Sequence, residues 1–100
     1  MVKVTVLYGH PKDTDAFEKY YAETHLPLAG KMNGVARLEL TKLVGTPDGS
    51  TPAFYRMAEL YFSDEEQMKT TMGSPEGQAT ATDIANFATG GAQFMIGIVD

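Results

Sequence analysis

The chain of 100 residues contains no cysteine and no tryptophan. Without cysteine there are no disulfides, thiolate nucleophiles or sulfur-ligated metals, a usage that fits a reducing cytoplasm. Basic residues are scarce: eight Lys and Arg against thirteen Asp and Glu leave a formal charge of −5. That sign denies nucleic acid the positive footprint its phosphates require, and it disfavours an anionic membrane surface. No apolar run approaches the roughly 20 residues that span a bilayer. The opening Val2-Lys3-Val4-Thr5-Val6-Leu7 does not have the form of a signal peptide. No glycine motif of the phosphate-cradling kind follows a strand, and no serine occupies a nucleophile elbow. The expectation is an acidic cytoplasmic protein with no nucleic acid or membrane partner.

What is present suits one globular domain over residues 1–100, with 43% hydrophobic and 21% charged residues. Val2, Val4, Val6 and Tyr8 alternate with Lys3, Thr5 and Leu7, the period of a strand, which Gly9-His10-Pro11 ends. Asp13 or Asp15 offers a carboxylate cap to a first helix. At about 100° per residue, Phe17, Tyr21, Thr24 and Leu28 share its apolar face. Tyr20 and His25 then fall on opposite edges of that face, whereas Tyr21 and His25, spaced i and i+4, are neighbours. Pro27 lacks an N–H and clashes one turn back, so a kink or break is expected near His25.

Asn33-Gly34 supplies a turn into a second strand, Val35 to Val44, and a polar loop leads to a third, Ala53 to Phe62. Ser63-Asp64-Glu65-Glu66 reads as a capping box with Ser63 as the cap, opening a short helix that Gly73 stops. Ser74-Pro75 restarts it to about Phe87, burying Ala81, Ile84, Phe87 and Ala88. The last strand is Ala92 to Val99. The order β-α-β-β-α-β predicts an α+β, ferredoxin-like fold: a four-stranded antiparallel sheet with the helices on one face. Strands three and four carry large apolar groups on both faces, so the second face needs a cover. A second copy of the sheet, giving a homodimer, is the simplest one.

The run Phe17-x-x-Tyr20-Tyr21-x-x-Thr24-His25-Leu26-Pro27-Leu28-Ala29, then Met32-x-Gly34, resembles the EthD family, named for ethyl tert-butyl ether degradation. Glu59-Leu60-Tyr61-Phe62-Ser63-Asp64, the Ser74-Pro75-Glu76 helix start and Asp83 to Phe87 extend the resemblance over most of the chain. It implies a dimeric α/β barrel in which two ferredoxin-like sheets close on each other. It also implies an association with ether breakdown and oxidoreductase activity. Related barrels include cofactor-free monooxygenases, a lactone isomerase, polyketide cyclases and haem-degrading enzymes. The missing tryptophan weakens the analogy with those that use one.

His25, beside a helix break on the edge of an apolar stripe, is the first candidate for a general acid or base. A histidine that caps the freed helix carbonyls is the alternative. Tyr21 has the better helical geometry for pairing with His25, and Tyr20 is a second aromatic of the same helix. His10, near Asp13 and Asp15, has no recognised ligand spacing, so no metal is expected, but a strand end can face a pocket. Tyr8, Met57 and Phe87 join His10 and Tyr20 as candidate ligand-binding residues in an apolar cavity. The expected activity is that of a small enzyme without a tightly held cofactor, acting on a small hydrophobic or aromatic metabolite with His25 as acid or base. A non-enzymatic carrier beside an oxidase is the alternative.

Overall fold

A computed structural model describes all 100 residues. The first strand, β1 (Val2–Tyr8), carries the expected alternation, with Val4, Val6 and Tyr8 buried. It lies in the interior of the sheet. Its neighbours are β3 (Arg56–Phe62) on one side and β4 (Ala92–Ile98) on the other, and β2 (Arg37–Lys42) completes the order β2-β3-β1-β4. Every pairing is antiparallel, and Val4 lies opposite both Leu60 and Ile96. β2 and β3 are shorter than expected. Their flanks still pair: Ala36 and Leu43 N–H groups donate to the Tyr61 and Tyr55 carbonyls.

Helix α1 (Thr14–Tyr20) starts where Asp13 accepts the Ala16 N–H. It runs through a π-helical turn, Tyr21–His25, into the short α2 (Leu26–Ala29). Helix α3 (Glu65–Gly73) is capped by Asp64, which takes the Gln67 N–H, rather than by Ser63. The cap is one residue further along the chain, so it serves the Gln67 N–H in place of that of Glu66, and its carboxylate also favours the positive helix end. Ser74 caps α4 (Pro75–Asp83) as expected, with Pro75 in the first turn. Gly77 permits the tight junction of α3 and α4, since a Cβ there would lie 2.2 Å from the Thr71 carbonyl oxygen. A 3-10 turn over Ile84–Asn86 ends the segment.

The core lies between sheet and helices and joins Val4, Val6 and Tyr8 to Ala58, Leu60, Phe62, Phe17, Tyr21, Met68 and Phe87. Thr24 is exposed where the stripe predicted burial, and His25 is buried in its stead. The π turn is the reason, because one extra residue per turn re-phases every side chain after Tyr21. Ala81 is exposed likewise, while Thr80, Asp83 and Ile84 are buried.

Strand parity shows where apolar surface remains open. Leu38 and Leu40 on β2 and Phe94, Ile96 and Ile98 on β4 are all exposed, and their register puts them on the helix-bearing face. The helices cover the two inner strands and leave both edges open. The opposite face is less apolar than expected. At its centre Glu59 is ion-paired to Lys3 at 2.6 Å, and Tyr61 lies beneath the Lys3 and Arg37 cations.

Candidate functional site

Tyr20, His25 and Asp83 meet at one carboxylate. The Tyr20 hydroxyl donates to Asp83 Oδ1 at 2.6 Å, and His25 Nδ1 lies 3.0 Å from Asp83 Oδ2. Asn86 Nδ2 adds a third donor to Oδ1 at 3.0 Å. This corrects the expectation that Tyr20 and His25 stand apart. In an α-helix, residues five apart diverge by more than a third of a turn. Here the Leu26 N–H bonds the Tyr21 carbonyl, an i→i+5 link, and such a turn brings residue 25 back over residue 20. Pro27, just after the π turn, has no N–H to extend the ordinary ladder across it.

The tautomer follows from the partner. A carboxylate only accepts, so Nδ1 carries the proton and Nε2 of a neutral ring is left with its lone pair. The ring is 4% exposed, stacks on Tyr21 at 5.8 Å and packs on Phe87 at 4.7 Å. Nε2 has no hydrogen-bond partner within the chain, and the residue lines a cavity between sheet and helices. Burial pushes the Asp83 carboxyl up, but its hydrogen bonds with Tyr20, Asn86 and His25 outweigh that cost and leave it below the usual carboxylate value.

Fifteen of the seventeen residues lining the cavity are hydrophobic, His25 and Thr80 being the exceptions by type. The Thr80 hydroxyl is committed to the Glu76 carbonyl. The cavity is narrow: the centre of a water molecule can visit about 40 Å³, within a cleft of about 500 Å³ that includes its open side. Leu38, Leu40 and Phe94 form part of the wall and are themselves exposed, so the cleft opens at the sheet edges. No three His, Asp or Glu side chains are placed to share a metal ion.

The sequence candidates separate on this geometry. His25, Tyr21 and Tyr8 line the cavity. Tyr21 has a buried hydroxyl without a partner, under the Arg56 guanidinium 5.0 Å above its ring, and burial first of all raises it to about 12. The other four lie outside. Tyr20 is drawn to Asp83 and borders a separate groove with Asn86 and Phe87. Phe87 is a wall behind the imidazole. Met57 has the wrong strand parity and points to the helix-free face. His10 is exposed on a loop, with Nε2 2.7 Å from the Pro52 carbonyl oxygen. Asp83 was not singled out as a site residue. A signal for it existed: it shares the helical face of Thr80, Ile84 and Phe87, an acid on an otherwise buried stripe.

An antiparallel ferredoxin-like sheet with a buried His–Asp pair at an apolar cleft defines the class: a small α+β protein with a cavity between sheet and helices. Comparison with known proteins carries this to a family. A profile described as the EthD domain matches residues 10–91. An uncharacterized 11.0 kDa protein encoded in the thcB–thcC intergenic region of Rhodococcus erythropolis is 39% identical over 95 residues, covering 95% of this chain and 91% of that one. A crystal structure of an ethyl tert-butyl ether (EthD) family protein from Bacillus halodurans superposes with a TM-score of 0.93 at 38% identity, covering 100% and 99% of the two chains. A dimeric ferredoxin-like protein of unknown function from Thermobifida fusca shares the fold at a TM-score of 0.72 and 10% identity, covering 98% and 90%. The chain belongs to the EthD family.

Proposed function

We propose that the protein is a cofactor-independent acid–base enzyme for a small hydrophobic metabolite, with His25 Nε2 as the proton-transfer atom in the cavity. The observation that carries this is the pairing of His25 Nδ1 with Asp83 rather than with a backbone carbonyl. A carboxylate fixes the tautomer and ring orientation and stabilises the imidazolium that forms when Nε2 takes a proton. Tyr20 and Asn86 hold the carboxylate in turn. Around them the apolar wall favours an uncharged substrate.

The test uses 5-nitrobenzisoxazole, whose ring opens when a base removes one C–H proton. Wild-type protein accelerates that elimination above buffer, and His25→Ala, shown folded by circular dichroism, loses roughly 10²-fold or more. Equal rates for the two would end the catalytic assignment. The apolar character of fifteen of seventeen lining residues favours one other function, a carrier for a hydrophobic ligand in an oxidase system. A carrier binds an apolar probe equally well with and without His25 and accelerates no elimination.

We also infer that two copies associate as a homodimer. The exposed Met95 and half-buried Met57 side chains on the helix-free face support this assembly.

A further inference from the structure

The geometry points to an uncharged carbonyl compound bearing an acidic α-C–H, an enolisable ketone, as the substrate class, with the Tyr8 hydroxyl as donor to the carbonyl oxygen. This rests on His25 acting as the base, and it adds the second group that enolisation requires. Among the polar groups of the cavity wall, most are spent. Thr80 is bonded to Glu76, and the Tyr21 hydroxyl is sealed off, one of two buried side-chain polar atoms without a partner. Tyr8 differs. Its hydroxyl also has no hydrogen bond within the chain, yet it is not among the sealed atoms, and the residue lines the cavity.

Tyr8 and His25 are brought together by shared neighbours. Both rings pack on Phe87, at 5.6 Å and 4.7 Å, and both pack on Tyr21, at 5.7 Å and 5.8 Å. One comes from the end of β1 and the other from the π turn, so sheet and helix each contribute a polar group to the wall of the same cavity. Burial, followed by the nearby Tyr21 and Asp83, raises the Tyr8 phenol far above its ordinary value and keeps it a proton donor.

The step balances within the chain and substrate. Nε2 removes the α-proton, the C–H electron pair becomes the C=C bond, and the carbonyl π pair moves to oxygen. The resulting enolate oxygen accepts the Tyr8 O–H hydrogen bond. The proton on Nε2 then returns to a conjugated carbon for isomerisation, or is replaced by one from solvent before the original carbon is reprotonated, which gives exchange. A preorganised donor aimed at the developing oxyanion accelerates such a step, because negative charge grows on oxygen between the ground state and the transition state. The wall holds no free cation, so a carboxylate substrate finds no counter-charge there.

The probe is cyclohexanone in D₂O, with α-proton exchange followed by proton NMR. Wild-type protein exchanges it above buffer, His25→Ala does not, and Tyr8→Phe slows exchange roughly 10²-fold while keeping the buried ring. Tyr61→Phe, on the opposite face, exchanges like wild type. Circular dichroism and melting curves establish that each variant is folded. If Tyr8→Phe exchanges at the wild-type rate, or if wild type eliminates 5-nitrobenzisoxazole but exchanges no ketone, the carbonyl assignment falls and the His25 base stands. If wild type does neither, both fall.

Discussion

His25 and Asp83, 58 residues apart in sequence, are joined by a 3.0 Å contact between Nδ1 and Oδ2. This contact ties the π turn of the first helix to the end of the last one. Asp83 is 7% exposed and receives three side-chain donors. Its replacement by Asn exchanges an acceptor-only oxygen for an NH₂ that meets donors. Asp83→Asn is expected to cost about 1–3 kcal/mol at pH 7 in urea unfolding.

The pH dependence of that loss follows from the lowered Asp83 pKa. A carboxyl more acidic when folded stabilises the protein fully above its unfolded value and loses that contribution as pH falls through the folded one. Wild type and Asp83→Asn therefore differ most near neutrality and converge as the pH drops below the ordinary carboxylate range. Unfolding midpoints at pH 7 and pH 3 check this; a gap that widens at pH 3 contradicts it.

Tyr20 acts on the imidazole only through Asp83, so its role is positioning. Tyr20→Phe removes one hydrogen bond to a charged group while keeping the ring stacked on Phe87 at 5.4 Å. A lower midpoint of urea unfolding than wild type is expected. With 5-nitrobenzisoxazole, kcat falls by less than in His25→Ala while KM is little changed. A rise in KM at unchanged kcat would place Tyr20 in binding instead.

Much of this fold was legible because its periodicities are clean. Alternation in Val2–Tyr8 and the Ser74-Pro75 cap fixed elements that the structure reproduces. The site was less legible, and one helical turn explains most of the difference. An angle of about 100° per residue assumes an unbroken α-helix, which separates Tyr20 from His25. The sequence marked the disturbance through Pro27, but not its form as a wider turn that re-phases His25 and Thr24. Asp83 was hidden for another reason: its partners lie far away in sequence, and only tertiary packing shows which acid meets them.

Glu18 and Arg56 form a bidentate pair, Nε to Oε2 at 2.9 Å and Nη2 to Oε1 at 2.6 Å, that clamps α1 to β3. The Arg56 hydrogen bond is the main cause of a Glu18 pKa below its ordinary value. This contribution is likewise complete at neutral pH and lost in acid. Arg56→Lys keeps the charge but loses the fork and the planar contact with the Tyr21 ring. A double-mutant cycle with Glu18→Gln is expected to give a coupling of about 1 kcal/mol at pH 7, partly exposed as the pair is. No measurable coupling would mean that the two side chains contribute independently.

The proposed homodimer is tested at the helix-free face. Lys3, Arg37 and Glu59 hold Tyr61 among charges there, while Met95 stands 46% exposed beside them. Such a face is compatible with association, since a non-obligate interface is about as apolar as the rest of a protein's surface and carries a polar rim. An isologous dimer sets the same patch against itself, so one substitution acts twice. Size-exclusion chromatography with light scattering is expected to give twice the chain mass at micromolar concentration. Met95→Lys, which adds a positive charge on each side of the axis, is expected to shift the equilibrium to monomer with the fold retained. A wild-type monomer under those conditions contradicts the dimer. A Met95→Lys dimer moves the interface to the exposed Phe94, Ile96 and Ile98 edge on the other face.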